Sequence, residues 1–130
     1  SAAGVRAALA LGAAGVQVGT AYLCADEAST TPLHRAALQS AAARHTAVTN
    51  CFTGRPARGI VNRVMREQGP ISAAAPAFPL ATGAIAPLRA AAEKLGRTDF
   101  TPLWSGQNAS ACRSAPAAAI TAELAAGFEP

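Results

Sequence analysis

The sequence predicts an α/β fold built on parallel strands, and three observations near its start carry that expectation. Val5, Ala8, Leu9 and Gly12 recur at helical spacing, with the glycine placed to stop a helix. Gly15 to Thr20 then has the composition of a short buried strand, with β-branched Val16, Val18 and Thr20. The strand ends in a polar pair, Gly19-Thr20. Helix, tight turn, strand and polar pair form the repeating unit of parallel α/β proteins, which bind ligands at the carboxyl ends of their strands. Gly19 has no Cβ, so an anion can approach its N–H, and Thr20 adds a hydroxyl donor beside it. A phosphate is the usual guest of such a pair, although many Gly-Thr strand ends bind nothing.

The rest of the chain is read in order. Tyr22 to Ala28 leaves the strand end through Asp26 and Glu27. Thr31 before Pro32 starts a helix, a capping hydroxyl followed by a residue whose missing N–H costs nothing in the first turn. Leu33, Ala37, Leu38 and Ala41 extend its apolar stripe to about Ala43. Thr46 to Phe52 alternates weakly and suits a short strand or extended stretch. Gly54 and Pro56 break the backbone. Ile60, Val61, Val64 and Met65 supply the apolar face of a helix that ends near Gly69-Pro70. Gly69 to Gly83, with Pro70, Pro76 and Pro79, is expected to be an extended connection.

Helical spacing resumes at Ile85, Leu88, Ala92 and Leu95, and Gly96 stops it. Phe100 to Gln107 cannot hold a regular element of any length, and Trp104 within it suits a core anchor. Ser114 before Pro116 opens the last helix, with Ile120 and Leu124 on its buried side and Gly127 at its end.

Composition narrows the chemistry. The 130 residues are 51% apolar and 14% charged, which suits a globular chain with one modest core. The net charge of +4 and pI of about 9.6 raise nucleic acid or an acidic membrane surface as partners. Aromatics are only 5% and no lysine run occurs, so a solvated basic face is preferred, with no nucleic-acid partner. No apolar run approaches the ~20 residues of a membrane span, and no signal peptide is recognised. Cys24, Cys51 and Cys112 are odd in number and widely spaced, which favours reduced thiols in a cytoplasmic protein and gives no metal site. His34 and His45 have no Ser, Cys or carboxylate at dyad spacing, so structural or exposed roles are expected. Arg55, Arg58, Arg63 and Arg66 are the densest charge cluster; a solvated or structural role is favoured over a grip on an anion.

Three stretches in order carry a family resemblance. Ala8 to Ala21, Phe52-Thr53-Gly54-Arg55-Pro56-Ala57-Arg58-Gly59-Ile60 with Asn62-Arg63, and Trp104-Ser105-Gly106-Gln107 resemble motifs of the nitronate monooxygenases, formerly 2-nitropropane dioxygenases. The resemblance implies the C-terminal part of a (β/α)8 TIM barrel with a mostly helical inserted cap. Residues 1–23 would be a late barrel unit carrying the FMN phosphate site, 24–99 the helical cap and substrate region, and 100–130 a flavin-facing loop and closing helix. A complete barrel takes ~250 residues, so a larger enzyme is expected, with an N-terminal barrel segment as partner of this one. Ser1 in place of an initiator Met agrees with that.

Gln17, Val18, Gly19 and Thr20 would then hold the phosphate, and Gln107 would contact the flavin. The family's catalytic histidine lies upstream, so no catalytic residue is expected in this chain. The implied reaction is FMN-dependent oxidation of an alkyl nitronate by O2 to a carbonyl compound and nitrite, with no nicotinamide or metal. A homodimer is left open. Two other readings stand beside it: a flavin-dependent enoyl-acyl-carrier-protein reductase of the same fold, and a non-catalytic helical module binding an anionic partner through Arg55 to Arg66.

Overall fold

The architecture follows from where the chain can and cannot satisfy its backbone. In a computed structural model describing residues 1–128, the regular elements are five helices and one short hairpin, and three small apolar clusters hold the hairpin and the last four helices. Residues 129 and 130, the end of the third expected segment, lie outside the described residues. Helix α1 spans Ala2–Ala10 and begins where Ser1 Oγ accepts from the Gly4 N–H at 3.3 Å. It ends as its glycine predicts: Gly12 has φ of 91°, its N–H donates to Leu9 O at 2.9 Å, and the Ala13 N–H reaches Ala8 O at 3.1 Å. That pair of bonds satisfies carbonyls the helix would otherwise leave open.

The expected strand from Gly15 to Thr20 is not formed among the described residues. Val16, Val18 and Thr20 are half-buried while Gly15, Gln17 and Gly19 are exposed, so the alternation of a strand is kept. What is lacking is a neighbouring strand: a strand exists through its ladder bonds, and none is made here. The chain then turns through a 3-10 segment, Thr20–Cys24.

Helix α2, Pro32–Leu38, starts at the predicted cap, with Thr31 Oγ1 accepting from the His34 N–H at 3.3 Å. It stops five residues earlier than its stripe suggested, and a 3-10 turn at Ala41–Arg44, opened by the Ser40 hydroxyl, takes over. Strands β1, Thr46–Thr49, and β2, Ala57–Ile60, pair antiparallel with Thr46 opposite Ile60 and Thr49 opposite Ala57. Ile60 was expected on a helix face, but it belongs to β2. Helix α3 is therefore only Arg63–Glu67, with Val64 and Met65 buried. The other edge of β2 is taken by residues 103–105: the Ile60 N–H donates to Leu103 O at 2.9 Å and the Ser105 N–H to Arg58 O at 3.1 Å. The Trp104 stretch, expected as irregular chain, thus lends β2 a second extended neighbour through an antiparallel bridge to Gly59.

Helix α4 runs Leu80–Lys94, beginning five residues before the expected Ile85 and accommodating Pro87 inside it. Gly96 closes it as predicted, with the Arg97 N–H on Ala92 O at 2.9 Å. Ala81 and Ala92 are buried and Ile85 half-buried, whereas Leu88 and Leu95 of the expected stripe are 55% and 75% exposed. Helix α5, Ala117–Ala125, follows Pro116 and buries Ile120. Its first N–H, of Ala117, is capped by Glu27 Oε2 at 2.9 Å. That bond holds the Glu27 carboxyl below its ordinary pKa. Residues 24–99 are thus helices plus one hairpin, less purely helical than expected.

Candidate functional site

A cavity of about 300 Å³ lies where the segment before the first 3-10 turn meets the Trp104 loop and α5. One wall is Gln17, Val18, Gly19 and Thr20; the facing wall includes Gly106 and Asn108; Arg113 and Glu123 stand at the rim, and Ile120 contributes apolar surface. Four of the five residues singled out from sequence are therefore together in one cavity. Gln107 is exposed and is not part of its lining, although Gly106 and Asn108 on either side are.

The polar character of the first wall comes from its backbone. The N–H groups of Val18, Gly19 and Thr20 find no acceptor among the described residues, since the first bond of the turn is from the Tyr22 N–H to Gly19 O at 3.0 Å. A Cβ built on Gly19 meets nothing within 4 Å. The space a side chain would fill there is open to a ligand that needs close access to the amides.

Thr20 joins the two motifs. Its Oγ1 accepts from the Gly106 N–H at 2.8 Å across 86 residues of sequence. A hydroxyl that accepts there keeps its own proton to donate, so Thr20 can offer a hydrogen bond to an anion while anchoring the loop. The carbonyl of Thr20 is occupied from behind by Cys112 Sγ at 3.3 Å. Burial, with Cys24 beside it, pushes the Cys112 thiol up to about 11, so it is a neutral donor here. Cys24, Cys51 and Cys112 are unbridged, and spacing gave no sign that Cys24 and Cys112 are neighbours.

Arg113 and Glu123 were missed from sequence. Nη2 of Arg113 donates to Glu123 Oε2 at 2.6 Å, and this pair holds the Glu123 carboxyl below its ordinary value. Arg113 sits after a 3-10 turn and Glu123 on α5, in no pattern that marks either as functional.

The histidines and the arginine cluster have local duties. Nε2–H of His34 donates to the Trp104 carbonyl at 3.0 Å, and burial lowers its pKa, so His34 is a neutral strut between α2 and the loop. His45 is exposed. Arg55 stacks over Phe78 at 4.4 Å, Arg58 Nη1 donates to Thr46 Oγ1 at 3.1 Å, and Arg63 pairs with Glu67 at 2.7 Å. Three of the four cluster arginines are therefore engaged within the protein. No group of three or more potential metal ligands occurs among the described residues.

Free amides, one hydroxyl and an open glycine position are the polar groups this cavity offers, in a protein of mixed helices and extended segments. Comparison with known proteins makes the assignment more specific. The sequence pattern of the nitronate monooxygenase family matches residues 1–127, and the chain belongs to that family. It is 39% identical over 122 residues to the nitronate monooxygenase of Pseudomonas aeruginosa, covering 93% of this chain and 35% of that protein. To a probable nitronate monooxygenase of Staphylococcus saprophyticus it is 38% identical over 105 residues, covering 81% and 30%. Its structure superposes on nitroalkane oxidase from Streptomyces ansochromogenes with a TM-score of 0.84 and 40% identity, covering 98% of this chain and 36% of that one. The chain thus spans about a third of the relatives it matches, and it shares the fold of the corresponding part of the oxidase.

Proposed function

We propose that this chain seats the phosphate of FMN in a flavin-dependent oxidation of alkyl nitronates by O2, as part of a (β/α)8 barrel. The observation that carries this reading is the cavity wall at Gln17 to Thr20. Its amides are unclaimed, its hydroxyl has a proton to give, and its glycine leaves room for phosphate oxygens, all in a member of the nitronate monooxygenase family. The donor set fits the group: an anionic phosphate gains most from N–H and O–H donors that no protein oxygen already uses.

The redox step, nitronate to carbonyl compound and nitrite, is chemistry that FMN supplies when bound. The residues of this chain position it. Val18, Gly19 and Thr20 would donate to the phosphate, and the Thr20–Gly106 bond ties the Trp104 loop to that wall. Gln107, exposed one residue beyond that bond, is proposed to reach the flavin outside the phosphate seat. The extended run at Gly15 to Thr20 is proposed to be a barrel stave, in keeping with its alternating exposure. A cytoplasmic location is part of the reading and accords with three reduced thiols.

The test is anaerobic reduction of the purified, FMN-loaded protein. Loss of the oxidised flavin's visible absorbance on adding propyl-2-nitronate, without NADH, is the expected result. Reduction by NADH alone would instead assign a nicotinamide-dependent reductase.

A further inference from the structure

We infer that Arg113 supplies the cationic side of the phosphate seat and that Glu123 occupies Arg113 in competition with the phosphate. This rests on the reading of the cavity as the FMN phosphate site. Backbone amides and a hydroxyl carry no net charge, and the phosphate of FMN is an anion. Among the residues that line the cavity, Arg113 is the one with a guanidinium. Its ion pair with Glu123 uses a single Nη2 contact at 2.6 Å, so most of its five N–H donors remain available.

The pair is half-exposed, with side chains 55% and 45% accessible. At that exposure the two charges hold each other weakly, and Arg113 can trade a carboxylate for a phosphate with two or more oxygens to offer. Two further contacts set where Arg113 begins. Its neighbour Cys112 is fixed through Sγ to Thr20 O, and Ala109 is fully buried in the core beneath the turn. The guanidinium therefore hangs from a backbone tied to the same residue that donates to the phosphate. Glu123 places a negative charge in the lining of the proposed anion site, where its partner is Arg113.

The experiment compares the dissociation constants of FMN and riboflavin, which differ by the phosphate alone, using the protein at its natural length. The unmodified protein is expected to prefer FMN. In Arg113→Gln the FMN constant should rise about tenfold with riboflavin unchanged. In Glu123→Gln, which removes the competitor, FMN should bind severalfold tighter, again with riboflavin unchanged. Both side chains are exposed, so thermal melting of each variant should stay close to that of the parent. A parent that prefers FMN, with the preference intact in Arg113→Gln, overturns the inference while leaving the phosphate seat standing. A parent with no preference overturns the seat and the inference together. Weaker FMN binding in Glu123→Gln overturns the competitive role and makes Glu123 a support for Arg113.

Discussion

Thr20 is the residue on which the site depends, because one hydroxyl serves two partners. It accepts from Gly106 N–H at 2.8 Å and, in the proposed seat, would give its own proton to the phosphate. Thr20→Val removes both, and the loss of one hydrogen bond to a charged group is worth about 1.5 kcal/mol, or roughly tenfold in FMN affinity. Equilibrium dialysis of FMN against the variant checks this, and unchanged affinity would remove Thr20 from the seat. His34 gives a prediction in pH. Its folded pKa lies below its ordinary value of 6.5 because burial penalises the cation, so the unfolded chain takes up the proton first. Stability should therefore be complete above that ordinary value and fall as pH drops below it. His34→Gln keeps an N–H for Trp104 O and should flatten the decline of melting temperature between about pH 7.5 and 5.

The elements hold these residues in place through small, specific fits. Gly54 shows why the Phe52 to Ile60 motif contains a glycine where it does. Its φ is 86°, and an added Cβ would stand 2.5 Å from Pro76 O and 2.7 Å from Ala77 C, both of them backbone that cannot swing aside. Gly54→Ala should push the 76–78 segment off the hairpin loop and cost about 2 kcal/mol, read as a lower denaturation midpoint. Leu38, fully buried at the end of α2, packs with Cys24, Ile60 and Leu103 in the cluster beneath the cavity. Leu38→Ala should cost about 3 kcal/mol by the cavity it leaves, measured by urea unfolding.

Elements with local signals were read correctly from the residues. Thr31-Pro32, Gly12 and Gly96 act through bonds spanning a few positions, and each cap or stop is found where it was expected. β2 was misread because Ile60, Val61, Val64 and Met65 fit a helical period, while the pairing that makes Ala57–Ile60 a strand comes from Thr46–Thr49 and from Leu103. Gly15 to Thr20 erred the other way: its residues suit a strand, but strand bonds need a neighbour.

Across the molecule, the site is assembled from pieces that sequence distance conceals. Gly19 and Thr20 could be singled out by residue type, as a glycine and a hydroxyl after a β-branched run, whereas Gln17 and Val18 entered only through the family resemblance. Arg113 and Glu123 could not, because a lone arginine and a lone glutamate have no spacing to betray them, and only folding brings them within 2.6 Å of each other beside residue 20. Likewise the Trp104 loop showed its polar residues but not its partner, which lies 86 positions away. Large apolar side chains stand exposed at Leu11, Leu80 and Leu95, at 90%, 68% and 75%.

A crystal structure of the FMN complex bears most closely on all of this. The phosphorus should lie within hydrogen-bonding reach of the Thr20 hydroxyl and the amides of Val18 and Gly19. Finding it elsewhere, for example among Arg55, Arg58 and Arg66 with the Gln17 to Thr20 wall empty, would contradict the account.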